Sequence, residues 1–384
     1  MRVLQVTIYG ELKFGGPPQK IFALSDGLAS RGHHVEIATF HSEMPQGGMP
    51  QKRGDVTLHF LAWGGRSLWQ LPTDWRRLRR AVRYADIVHV YGLYNLLCPL
   101  AAWVARQSGK PFILEPLGMF VPRARSVRGK VIYNRLLTVP MAHAAARVVA
   151  TSAREAEELA LLVPSDKLVM RRNGLDLSAF QNLPTGANFR SRFGLGTDER
   201  IVLFVGRISP IKNLEELMRA FALAKLPQTR LVLVGPELEP EYAVRLRALI
   251  EELRLSERVM LAGELYERDK LSALAAAALF VLPSTYESYG NAAAEAIAAG
   301  VPVLITKGCG IAPQIDGRGG LVVEPEAHAL AKGLETLLND EMQRNALCAR
   351  RSEIMSELSW EEPLQQTEEV YQAILKEHHV HSRY

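Results

Sequence analysis

Short apolar runs and longer amphipathic stretches alternate along most of this chain. Apolar runs at 2–8, 34–40, 56–61, 86–91, 111–115 and 147–151 have the length and composition of buried strands. Between most of them apolar residues recur at helical spacing, notably at 19–31, 71–84 and 96–107. Strands separated by helices predict a parallel, doubly wound sheet. Residues 180–200 interrupt this rhythm with Asn, Pro, Gly and Thr, as a linker would. The alternation then restarts, with strands expected at 201–205, 231–234, 258–261, 279–282, 303–305 and 321–323. A last helix is expected at about 361–377, after Trp360. The fold class is therefore α/β, with two Rossmann-like doubly wound domains facing a cleft and a boundary near 185/186.

Composition adds limits. A chain of 384 residues can form two or three domains, each with its own core. Its 48% hydrophobic and 23% charged content suits a soluble globular protein. No apolar run reaches the ~18 residues of a spanning helix. The opening MRVLQVTIY reads as a strand and not as a signal peptide. Cys98, Cys309 and Cys348 lack metal-ligand spacing and read as reduced thiols, so a cytoplasmic location is expected.

Charge changes the picture more. Residues 1–190 carry 25 Lys/Arg against 13 Asp/Glu, whereas residues 191–384 carry 21 against 28. The basic half calls for an anionic partner: membrane lipid, an acidic acceptor or nucleic acid. Stretch 71–84 places Arg76, Arg77, Arg79, Arg80 and Arg83 around an apolar stripe of Trp75, Leu78 and Val82. Arg123, Arg125, Arg128 and Lys130 form a second basic run. Trp63, Trp69 and Trp75 beside clustered arginine suit peripheral binding to an anionic membrane face, here the inner face of the cytoplasmic membrane. The plain alternative is a solvated helix with its stripe in the core, and for the arginines the two readings stand level. No recognised nucleic-acid-binding motif accompanies them, so no nucleic acid is expected.

The chemistry concentrates in the second half, in PSTYESYGNAAAEAIAAGVP at 283–302. Behind an apolar strand comes a polar loop with Glu287 and Gly290, then Asn291 as the expected cap of an Ala-rich helix ending at Gly300. Amides near Gly290, Asn291 and Ala292 would offer a positive helix end to a phosphate. Glu295, one turn deeper, could accept both hydroxyls of a ribose. Glu287 is left to meet whatever the phosphate carries. Two such acids alone would read as a loop acid and a solvated helix acid.

A second motif changes those odds. The strand IVLFV leads into Gly206, Arg207, Ile208, Ser209, Pro210, Ile211, Lys212 and Asn213 and then a helix. The two motifs together resemble the donor site of family 4 retaining GT-B glycosyltransferases (glycosyl transferases group 1). Arg172-Asn173-Gly174, Leu233-Val234-Gly235 and the pair Gly15 and Gly16 match further family positions, and the resemblance runs from residue 1 to about 375.

It implies that Gly206 lets the chain turn while Arg207 and Lys212 clamp the leaving diphosphate. Glu295 would hold the ribose and Glu287 the donor sugar, and Gly235 would lie beside the nucleobase. Gly15 and Gly16 would approach the donor phosphates and acceptor. It also implies that the final helix crosses back, so that 1–185 plus about 361–384 bind acceptor and 186–360 bind donor.

The expected activity is retaining, metal-independent transfer from a nucleoside-diphosphate sugar to a glycan or lipid-linked glycan. Surface polysaccharide or lipopolysaccharide assembly is its expected setting. Residues 112–119 lack the histidine many relatives place there, His89 reads as a strand-packing residue, and Gln314 stands near a common family glutamate. These departures bear on which sugar is used. A nucleotide-sugar epimerase of like fold, or a non-enzymatic nucleotide-sugar or membrane-binding protein, are the alternatives. No Asp-x-Asp, Walker A, Gly-x-Ser-x-Gly or zinc pattern offers another chemistry.

Overall fold

The expected alternation builds two large sheets, one in each of two units, beside a small two-stranded one. The computed structural model describes residues 1–8, 10–11, 15–65, 70–123 and 126–381. One unit comprises Met1–Gly174 and Trp360–Tyr384, the other Leu175–Ser359. The 180–200 stretch lies inside the second unit and is not a plain linker. Thr185 caps a helix, Gly186–Phe193, that buries Phe189 in that unit's core and ends at Gly194 (φ 62°). A single cap and one buried aromatic are a weak signal among polar residues.

The first unit holds β1 (Arg2–Val6), β2 (His34–Thr39), β3 (Gln51–Arg53), β4 (Val56–Phe60), β5 (Trp63–Gly64), β6 (Leu71–Pro72), β7 (Ile87–Tyr91), β8 (Phe112–Glu115), β9 (Arg147–Ala150) and β10 (Leu168–Met170). Eight of these form one sheet, ordered β10-β9-β8-β7-β1-β2-β4-β3 and parallel except for edge strand β3. Strands β3 and β10 have three residues each, too few to show a period. The expected helix from 71 begins later, because Leu71–Pro72 pairs with β5 and Asp74 caps Trp75–Tyr84 by accepting the Arg77 amide at 3.2 Å.

Alternate residues of the central strands feed opposite faces. Leu4, Val6, Val88, Val90 and Leu114 enter one apolar cluster, and Val3, Ile87, Tyr91 and Ile113 the other. Both faces must therefore be covered, as parallel sheets require. Helix Gly16–Ser30 covers the second face with Ile21, Leu24 and Leu28. The final helix, Glu361–His381, joins it there through Leu364, Tyr371 and Ile374. Arg31 and His33 both reach Glu368 at 2.7 Å, so the C-terminal helix does cross back to the first unit.

The second unit contains β11 (Arg200–Val205), β12 (Thr229–Val234), β13 (Val259–Gly263), β14 (Leu279–Leu282), β15 (Val303–Thr306) and β16 (Gly320–Val323). They form a wholly parallel sheet in the order β13-β12-β11-β14-β15-β16. The order reverses between β11 and β14. Loops leaving the carboxyl ends of those strands diverge, which opens the crevice where such sheets hold ligands.

Candidate active site

Both chemistry-bearing motifs leave the sheet at that reversal. Gly206 and Arg207 follow β11, and the 283–290 loop follows β14. Gly235, after β12, has φ 146°, and a Cβ there would lie 1.9 Å from the Gly206 carbonyl oxygen. Only glycine allows this approach. Lys212 ends a short 3₁₀ turn, Pro210–Lys212, and its ammonium pairs directly with Glu287. Ser284 Oγ donates to the same Glu287 oxygen at 3.0 Å. The backbone ties these loops together: Thr285 N donates to Ile211 O at 3.0 Å, Glu287 N to Gly308 O at 2.9 Å and Gly310 N to Glu287 O at 3.1 Å. Three loops, after β11, β14 and β15, are thus interlocked at one edge.

Arg207 is exposed and makes no ion pair among the described residues. The helix after the loop is Asn291–Ala298, with Gly290 (φ 119°) as its N-cap and Asn291 as its first residue. Glycine takes the cap because the loop enters at positive φ, so the expected Asn291 cap sits one position away. Glu295 is 8% exposed, and Lys270 Nζ donates to its Oε1 at 2.8 Å. Lys270, on helix Glu267–Ala276, gave no signal in its own sequence neighbourhood. Gln314 accepts from the Tyr289 hydroxyl at 3.1 Å and lines the same loop cluster. Cys309 is buried there, and burial pushes its thiol up to about 12, so it supplies no thiolate nucleophile.

This arrangement places a free guanidinium, a lysine–glutamate pair and a helix N-terminus at one sheet edge. Comparison with known proteins gives it a family. Residues 187–353 match the family described as glycosyl transferases group 1, and residues 15–174 match the glycosyl transferase 4-like domain. A D-inositol 3-phosphate glycosyltransferase of Nocardioides sp. is 32% identical over 93% of this chain and 85% of its own. The chain is a family 4 glycosyltransferase. A GDP-mannose:cellobiosyl-diphosphopolyprenol alpha-mannosyltransferase of Xanthomonas campestris is 31% identical over 72% of this chain and 70% of its own. The sucrose-phosphate synthase structure from Thermosynechococcus elongatus shares the fold, with a TM-score of 0.78, 23% identity and coverage of 98% and 99%. The fold class is GT-B, and membership favours transfer over the epimerase and non-enzymatic alternatives.

The transferase's first unit treats its predicted residues differently. Gly15 (φ 82°) caps helix Gly16–Ser30 and Gly16 begins it; nothing lies within 4 Å of a Cβ at Gly15. Arg77 is turned inward and donates to the carbonyls of Gly48 and Phe60 at 2.6 and 3.1 Å, so it holds the fold rather than a ligand. Arg76, Arg79, Arg80 and Arg83 instead line a shallow depression with Trp75 and Tyr84. Arg123 is paired with Glu158. Arg125 and Trp69 lie outside the described residues. His89 is buried, stacked 4.1 Å from the Tyr91 ring and 2.7 Å from the Tyr371 hydroxyl, a packing residue as expected.

Beside His89 lies a buried charge cluster that local pattern did not reveal. Glu115, at the end of β8, is wholly buried, pairs with Lys20, and accepts from Arg171 Nη2 at 2.5 Å. Burial alone would raise its pKa, but Arg171, Lys20 and His89 outweigh that and hold it well below the usual carboxylate range. Burial pushes the Lys20 ammonium down to about 8 against the pull of Glu115. The one sequence signal was an acid closing the apolar run FILE.

Proposed function

We propose that this transferase moves a sugar, with retention, from a nucleoside-diphosphate sugar to a glycan or lipid-linked glycan acceptor. The observation that carries this is the meeting of Arg207, Lys212, Glu287 and the Asn291 helix end at the strand-order reversal of the second unit. A diphosphate there gains Arg207 as a fork and Lys212 as a point charge. Positive charge at the leaving group is what breaking a sugar–phosphate bond requires. Glu287, relieved of Lys212 by the competing diphosphate, turns to donor-sugar hydroxyls. Glu295, steadied by Lys270, takes the ribose hydroxyls.

The reaction balances without a protein nucleophile. The bond from the anomeric carbon to the diphosphate oxygen breaks as the acceptor oxygen bonds to the same face. The acceptor proton passes to the departing diphosphate. Arg207 and Lys212 supply the charge, so transfer is expected to proceed without a divalent metal and to survive chelator.

The basic first unit supports an anionic acceptor. The name of the Xanthomonas relative, with its diphosphopolyprenol acceptor, supports a lipid-linked one in surface polysaccharide or lipopolysaccharide assembly. Arg76, Arg79, Arg80 and Arg83 would then meet acceptor or membrane at the cytoplasmic face. No helix among the described residues is long and apolar enough to cross a membrane.

The test is a thermal-shift screen with UDP, GDP, ADP and CMP and their sugars. A ligand at 100 times its Kd stabilises the folded state by about 2.7 kcal/mol. A shift with one nucleoside diphosphate, lost in Glu295→Ala, is expected; no shift with any nucleotide overturns the donor assignment.

A further inference from the structure

The helical segment after residue 126 is built with its polar side inward. It runs as Val127–Tyr133, a π-helical turn at Asn134–Thr138, and Val139–Ala144. The Tyr133 hydroxyl donates to the Asn95 carbonyl, and Asn134 Nδ2 donates to Phe120 O at 2.6 Å. Thr138, fully buried, donates to Asn134 Oδ1 at 2.8 Å. The apolar side faces out: Val127, Val131, Ile132 and Leu136 are 45, 52, 60 and 66% exposed. A helix that met only water would show the opposite pattern. Four large apolar side chains left exposed within ten residues of one helical segment mark a contact surface.

Charge identifies the partner. No acidic residue occurs between Glu115 and Glu155. Arg128 and Arg135 share this face, lying between Val127/Val131 and Ile132/Leu136 by helical spacing, are exposed, and make no ion pair among the described residues. Their neighbours in the run are held internally, Arg123 by Glu158 and Lys130 by the Arg123 carbonyl at 2.9 Å. Packing this face on its copy would bring four arginines together without a counter-charge. An anionic bilayer accepts both features at once, with apolar side chains at the acyl boundary and guanidinium groups on phosphates.

We propose that Val127–Leu136 is a membrane-docking face that seats the first unit on an anionic phospholipid surface. It deepens the proposed lipid-linked acceptor by naming how the enzyme reaches it, and rests on that reading for its purpose alone.

The experiment floats the full-length protein with phosphatidylcholine vesicles, with and without phosphatidylglycerol. Wild type is expected to bind the anionic vesicles, more weakly as salt rises. The variant Val131→Ser/Ile132→Ser/Leu136→Ser should bind at least about tenfold less, from the apolar area lost. Arg128→Glu/Arg135→Glu should lose the preference for phosphatidylglycerol. All should keep the nucleotide thermal shift, which shows that they fold. Equal binding by the apolar variant, or no wild-type binding, overturns the docking face. A dimer that this variant dissolves would reassign the face to self-association and overturn the proposal too. Vesicle binding without any nucleotide shift would end the donor assignment and leave docking standing.

Discussion

The two units carry charged clusters at the carboxyl edges of similar sheets, yet use them in opposite ways. In the second unit Lys212 and Glu287 pair while 12% and 18% exposed, and Arg207 stays free at the surface. In the first, Lys20 and Glu115 pair at 3% and 0% exposure, with Arg171 closing the set. Helix Gly16–Ser30 supplies Lys20 directly, and the C-terminal helix brings Tyr371 beside His89. One edge is sealed by its own helices and the other left open to a ligand. A charge pair is a functional candidate when its partners can be exchanged, and a structural one when burial forbids exchange.

The largest way to break this comparison is Glu115→Gln. It strips two buried cations of their counter-charge and should destabilise the first unit by about 3–5 kcal/mol. Urea denaturation measures it, and a loss below ~1 kcal/mol would deny the cluster its structural role. The same variant tests the pH dependence. Because folding lowers the Glu115 pKa, its stabilisation is complete above the unfolded carboxylate value and drains away as pH falls below it. Wild type should therefore lose stability through the acid range more steeply than Glu115→Gln does.

Next in size is Arg207→Ala, expected to lower kcat/KM about 10- to 150-fold, the worth of one charge-assisted contact of ~1.5–3 kcal/mol. Its melting temperature should not move, since Arg207 has no ion-pair partner among the described residues to lose. Lys212→Ala should cost a similar factor in transfer. A variant in which stability fell and turnover held would place Lys212 with the structural pairs. The smallest effect is expected from Lys270→Ala. It frees Glu295 to wander and should raise donor KM by about three- to tenfold, the ~0.5–1.5 kcal/mol of one hydrogen bond. A lowered kcat with unchanged KM would instead tie Lys270 to the chemical step.

Local pattern determined much of this protein. Apolar periodicity specified the α/β alternation and most elements to within a few residues, because strand and helix periods are written in neighbouring positions. Motif spacing singled out Arg207, Lys212, Glu287 and Glu295, and the resemblance those motifs carry is the family the comparisons show. Tertiary structure decided which charges remain available. Arg77 and Arg123 read like their neighbours in sequence, yet one turns onto carbonyls and the other onto Glu158. Lys20 on helix Gly16–Ser30, Glu115 at the end of β8 and Arg171 just after β10 are far apart along the chain and meet only in the folded unit. Val131, Ile132 and Leu136 have the spacing of core residues and point outward, since the other side of their helix is taken by Tyr133, Asn134 and Thr138. Periodicity tells which residues share a face; what covers that face depends on elements distant in the chain.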